Sequence, residues 1–259
     1  MLASEWVGRG PELLLLHGLG GNRHSWDPIV PLLAATRTLV LVDLPGHGGS
    51  PLPFTVTFAG LADMLEQFVI DEGLNGMPVA GMSLGARAAL ELARRGLAGP
   101  VAALAPGGFW TLPWERSYVW TTLSSATALA RLIAPTLPAL IAAPASRALL
   151  LTQFSAQPLT APPDAVLAEL LSVAHTPAVD AYLADLAFGP EQDGDSSSTT
   201  PVTLIWGRHD KVSLPVQSDK ATAEFPAARL VWLPAAGHYT IWDQPAETAR
   251  LILEATGQG

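Results

Sequence analysis

Six short runs of the chain are almost continuously apolar: 12–18 (ELLLLHG), 37–43 (RTLVLVD), 77–83 (MPVAGMS), 100–106 (PVAALAP), 201–207 (PVTLIWG) and 228–234 (ARLVWLP). A strand with one wet face alternates apolar and polar residues, so runs without alternation predict strands buried on both faces, as in a parallel sheet. Between them, 25–35, 58–73, 84–96, 216–225 and 245–256 carry apolar residues at helical spacing. Strand and helix in alternation predict a doubly wound, mostly parallel α/β sheet. The alternation breaks once. From Gly107 to about Pro190 there is no strand pattern, only Ala/Leu-rich helical segments broken by prolines. This predicts a sheet core from residues 1–106 and 201–259, a helical cap at 107–190, and a polar linker at 191–200 (EQDGDSSSTT).

Composition narrows the partners. The 259 residues suffice for one large domain with an insertion. A net charge of −9 with scattered arginines argues against nucleic acid, because neutralising phosphates needs clustered Lys and Arg. The absence of cysteine excludes a thiol nucleophile and suits a reducing compartment, so the expected location is cytoplasmic. The N-terminal stretch lacks a basic leader. The apolar segment 132–146 is bracketed by Arg131 and Arg147 and interrupted by three prolines, so no membrane span is expected there.

The chemistry centres on GMSLG (81–85), a G-x-S-x-G pattern between a strand candidate and a helix candidate. Glycines two positions either side of a serine allow a very tight turn that would expose the hydroxyl of Ser83 as a nucleophile. A serine hydroxyl needs a base, and the base an orienting acid. His238, in the loop after the last strand candidate, is the expected base, and Asp210, in the loop after 202–206, the expected acid. His17 and His47 each belong to a tight glycine turn and are read as loop builders. His24, His175 and His209 are read as surface or packing residues. Asp43 ends a strand but opens the P-G-x-G turn, where a structural role is expected.

Together, HGLGG (17–21), DLPGHGGS (43–50), GMSLG, WGRHDKVSLP (206–215) and AAGHYTIWDQP (235–245) resemble the α/β-hydrolase family, in its serine esterase-like group with a helical cap. The resemblance spans nearly the whole chain outside the cap. It implies the triad Ser83, Asp210 and His238, with an oxyanion hole from the backbone N–H groups of Leu19 and Leu84. Ala86 departs from the further glycine that many relatives carry. A serine nucleophile argues against the haloalkane dehalogenases and epoxide hydrolases, which attack with aspartate. No metal or cofactor is implied, since neither H-E-x-x-H nor a full G-x-G-x-x-G occurs.

The expected activity is hydrolysis of small-to-medium, largely apolar carboxylic esters through an acyl-enzyme, with a small-molecule ester as partner. Phe109, Trp110 and Trp114 are the expected substrate contacts. Two other readings stay open. The same triad could cleave C–C bonds or lactones, with Arg116, Arg131 or Arg147 of the cap meeting a substrate carboxylate. The chain could also be a ligand-binding or signalling protein of this fold with slow hydrolysis.

Overall fold

The chain opens with a strand that its apolar pattern does not announce. In the computed structural model, which describes residues 1–195 and 199–257, Ser4–Gly8 (β1) lies antiparallel at one edge of the sheet. Its side chains are mostly half-buried or exposed, with Trp6 among the exposed ones, so no apolar run marks it. The six expected strands follow as Glu12–Leu16 (β2), Thr38–Val42 (β3), Met77–Met82 (β4), Ala98–Leu104 (β5), Val202–Gly207 (β6) and Arg229–Leu233 (β7). The sheet order is β1-β3-β2-β4-β5-β6-β7, and every pairing after the first is parallel.

Burial on both faces explains the missing alternation. Leu14, Leu16, Val40, Val42, Val79 and Val101 point to one core cluster. Leu13, Leu15, Leu39, Leu41, Ala80 and Ala102 point to the other. Each fully buried Leu or Val contributes roughly 1.5–3 kcal/mol, so two apolar faces fix the register of every central strand.

Helices cover both faces. Val30–Leu33 (α1) is a single turn following a 3-10 turn at Arg23–Trp26, shorter than the pattern at 25–35 suggests, with Pro28 between the two and Pro31 in the first turn of α1. Phe58–Asp71 (α2) and Leu84–Arg94 (α3) pack one face. Between β5 and β6 the chain runs through Pro113–Ile133 (α4), Leu137–Ala142 (α5), Pro144–Leu151 (α6), Pro163–His175 (α7) and Val179–Phe188 (α8). Four of these five helices carry proline in their first turn, where its missing N–H costs nothing. Gln217–Glu224 (α9), Thr240–Asp243 (α10) and Pro245–Ala255 (α11) complete the fold.

Pro113–Ala142, in which an 18-residue window reaches mean hydropathy 1.4, is long and apolar enough to cross a bilayer. Here a 3-10 turn at Ala134–Thr136 interrupts it, and α4 packs across α7 and α8. Of the polar stretch 191–200, residues 196–198 lie outside the described residues.

Candidate active site

Ser83 occupies the single residue between β4 and α3, with φ 55° and ψ −113°. A non-glycine residue at positive φ costs about 1–3 kcal/mol and persists only where its surroundings impose it. The surroundings are explicit. The Ser83 amide donates to the Leu104 carbonyl (2.8 Å), and the Arg87 amide donates to the Ser83 carbonyl (3.0 Å). A Cβ on Gly81 would collide with the Gly85 carbonyl, and one on Gly85 with the carbonyls of Leu16 and His17. Both glycines of the pattern are therefore required by backbone contact. Gly85→Ala is expected to lower stability by up to ~3 kcal/mol and to displace Ser83, because no flexible side chain can yield. Thermal unfolding and turnover of the variant check this; unchanged values for both would contradict it.

The acid and the base meet. His238 Nδ1 donates to Asp210 Oδ2 at 2.9 Å, and both side chains are buried. Asp210 Oδ1 accepts from the amides of Val212 (2.8 Å) and Ser213 (3.0 Å), so the loop after β6 pins the carboxylate. Ser83 and His238 line one cavity of about 100 Å³, together with Gly18, Leu19 and Tyr239. A carboxylate that holds one imidazole nitrogen leaves the other to take a proton from a neighbouring hydroxyl. The Leu19 amide lies in the turn at that cavity, and the Leu84 amide follows Ser83 at the first position of α3. Among the described residues neither amide has an acceptor within the chain.

The other expected loop residues stand apart from this chemistry. His17 donates from Nδ1 to the Gly18 carbonyl (2.7 Å) and accepts the Leu44 amide at Nε2 (2.9 Å). His47 likewise donates to the Pro45 carbonyl (3.1 Å) and accepts the Gly20 amide (3.1 Å). Burial pushes the pKa of His17 well below the usual imidazole value and that of His47 down to about 4, so both stay neutral and shape the turns. Asp43 accepts the amides of Arg23 (2.7 Å) and Gly49 (2.8 Å), which ties the turn after β3 to the turn after β2. His24, His175 and His209 are exposed.

The expected substrate contacts lie outside the cavity that Ser83 and His238 line. Phe109 is fully buried edge-on against Phe225, Trp110 packs with Val119, Leu183 and Leu186, and Trp114 is half-exposed against Tyr118. None of the three lines the cavity. Phe109 and Trp110 lie in the segment between β5 and α4, and Trp114 lies in the first turn of α4. The C-terminal half of α4 contributes Leu123, Thr127, Ala130 and Ile133 to the lining, at helical three- and four-residue spacing. That spacing was visible in the sequence. The cap arginines are also committed elsewhere: Arg116 pairs with Glu191 (2.7 Å), Arg131 with Asp180 (2.8 Å), and Arg147 donates to the Ile141 carbonyl (2.9 Å).

Two carboxyl groups absent from the sequence reading matter here. Asp243 accepts the amides of Gly237 (2.6 Å), Ala156 (2.8 Å) and Gln157 (3.1 Å) and the Ser155 hydroxyl, fastening the loop that carries His238 to the cap. Glu169 of α7 lines the cavity and accepts the hydroxyls of Ser25 (2.6 Å) and Tyr239 (2.8 Å). Burial raises the pKa of Glu169, and burial together with Glu169 raises that of Tyr239 well above the usual phenol value. Among the described residues no group of three or more His, Asp or Glu could hold a metal ion.

Residues 13–251 match the model of the alpha/beta hydrolase family. Over 98 residues the chain is 36% identical to a 2-succinyl-6-hydroxy-2,4-cyclohexadiene-1-carboxylate synthase from Escherichia coli (strain K12); the match spans 38% of each protein, so the chain covers well under half of that relative. Among solved structures, a thermophilic esterase from Thermogutta terrifontis superposes with TM-score 0.75 at 20% identity, covering 98% of this chain and 92% of that one. A meta-cleavage product hydrolase from Pseudomonas fluorescens IP01 superposes with TM-score 0.74 at 15% identity, covering 98% and 93%. At these identities the likeness is one of fold.

Proposed function

The chain belongs to the alpha/beta hydrolase family, and we propose that it is a serine hydrolase cleaving small-to-medium, largely apolar carboxylic esters. One observation carries this reading: a serine held at positive φ opens onto a small, largely aliphatic cavity that it shares with a histidine bound to a buried aspartate. Ser83 attacks the ester carbonyl while His238 takes its proton, and Asp210 holds the imidazole with its proton on Nδ1. The amides of Leu19 and Leu84 stabilise the oxyanion, a donor in comparable sites being worth roughly 3–4 kcal/mol. The alcohol leaves with the proton from His238, and water then releases the acid by the same steps.

The lining also bears on the competing reactions. A carboxylated dienone would bring its carboxylate into this site, yet no lysine or arginine lines the cavity to pair with it. Neutral lactones fit the same site as esters do. The cavity is small beside the ~300–1,000 Å³ clefts that hold drug-sized ligands. Over a p-nitrophenyl ester series, kcat/KM is expected to peak at short or medium acyl length, since each methylene buried adds about 0.8 kcal/mol until the wall is reached. A flat series, or highest activity on the longest chains, rejects the bounded pocket. Rapid C–C cleavage beside no ester turnover rejects the reaction.

A further inference from the structure

Glu169 is a carboxyl group on the wall of a cavity lined mostly by Leu, Ala, Val and aromatic side chains. Nothing in the proposed chemistry uses it. It sits on α7, and that helix lies directly over the turn that presents Leu19. A Cβ on Gly20 would strike Val173, a Cβ on Gly21 would meet Glu169 Oε1 at 2.9 Å, and Asn22 Nδ2 donates to Ser172 Oγ (3.0 Å). On its other side Glu169 reaches Tyr239, the residue after His238. The carboxyl group therefore stands between the two loops that frame the reacting carbonyl.

Its hydrogen bonds leave capacity unused. Each carboxylate oxygen offers two lone pairs, while Oε2 takes one proton from Ser25 and Oε1 one from Tyr239. No lysine or arginine in the lining compensates it. A buried carboxyl without a cationic partner is costly, and its raised pKa reflects that cost. A ligand bringing a proton donor to the free lone pairs relieves the cost. A ligand bringing a carboxylate adds to it, because two like groups would then share a site of low polarity.

We propose that Glu169 is the specificity-determining residue of this cavity, accepting a hydrogen bond from a hydroxyl or ammonium group on the non-reacting part of the substrate and turning carboxylates away. The assignment rests on the reading of this cavity as the substrate site. Hydrogen bonds to a carboxylate are strong enough to separate donor-bearing from carboxylated ligands by tenfold or more.

Binding of uncleaved mimics tests it without requiring turnover. The probes are N-methyl amides with two to four methylenes ending in a hydroxyl, an ammonium or a carboxylate, titrated into the wild-type chain by ligand-observed NMR. The hydroxyl or the ammonium compound of the best length is expected to bind at least tenfold tighter than its carboxylate counterpart, and the tighter of the two identifies the donor. In Glu169→Gln the gap is expected to fall below threefold. Equal or tighter binding of the carboxylates to the wild type overturns the proposal. So does a gap that survives in the folded variant, because a carboxyl group that merely clamps cap to core moves stability and leaves the order of binding unchanged. If Glu169→Gln does not fold, the wild-type order alone decides. Absence of ester turnover counts against the proposed reaction and leaves this order readable.

Discussion

Ser83→Ala is expected to lose on the order of 10⁶-fold in kcat for ester hydrolysis while keeping its fold. The loss is large because the hydroxyl is the atom that attacks, and the amides of Leu19 and Leu84 can then assist only water. The fold survives because the Ser83 side chain makes no cap hydrogen bond to α3. Alanine bears the same backbone cost at φ 55° as serine does. A fluorosulfonyl or phosphonate reagent is expected to add one adduct mass at Ser83 in the wild type and none in the variant. Labelling at another serine, or turnover retained in the folded variant, removes Ser83 from its role.

Asp210→Asn is expected to cut kcat about 10⁴-fold, and the structure supplies the reason. The amides of Val212 and Ser213 both donate to Oδ1, so in asparagine that position must be the carbonyl oxygen. The NH₂ group then faces His238 Nδ1 as a donor, which drives the imidazole proton to Nε2, the nitrogen that must accept from Ser83. Turning the amide over would set its NH₂ against two N–H groups. Asp43→Asn, whose partners are the amides of Arg23 and Gly49, is expected to act on stability instead. Kinetics and thermal unfolding of both variants separate the roles. A larger loss of turnover in folded Asp43→Asn than in Asp210→Asn reverses the assignment.

Legibility in the sequence followed the range of the physics. The strands β2 to β6 announced themselves because burial on two faces removes alternation within five to seven residues, and β7, mostly half-buried at the other edge, carries an apolar run as well. β1 did not, because an edge strand with exposed side chains carries no such mark. The residues around Ser83 were readable for a similar reason: the collisions that demand glycine at 81 and 85 come from the turn itself and the strand beside it. Ser83, Asp210 and His238 were legible as candidates because each follows a recognisable strand.

What the sequence determined by itself was thus the two-sided sheet, the tight turn at Ser83 and the loops that bring Asp210 and His238 near each other. The tertiary structure alone decided which face of each cap helix turns inward. Phe109, Trp110 and Trp114 lie nearest in sequence to the end of β5, yet Leu123, Thr127 and Ala130 reach the cavity, because the packing of α4 on α7 and α8 sets its rotation. Glu169 and Asp243 gain their meaning in the same way. Each is an ordinary acidic residue on a helix until the fold places Ser25 and Tyr239 around one and Gly237, Ala156 and Gln157 around the other. Burial period and the clash that demands glycine at 81 are written within a few consecutive residues, whereas a polar contact spanning 70 to 144 positions exists only once the helices have docked.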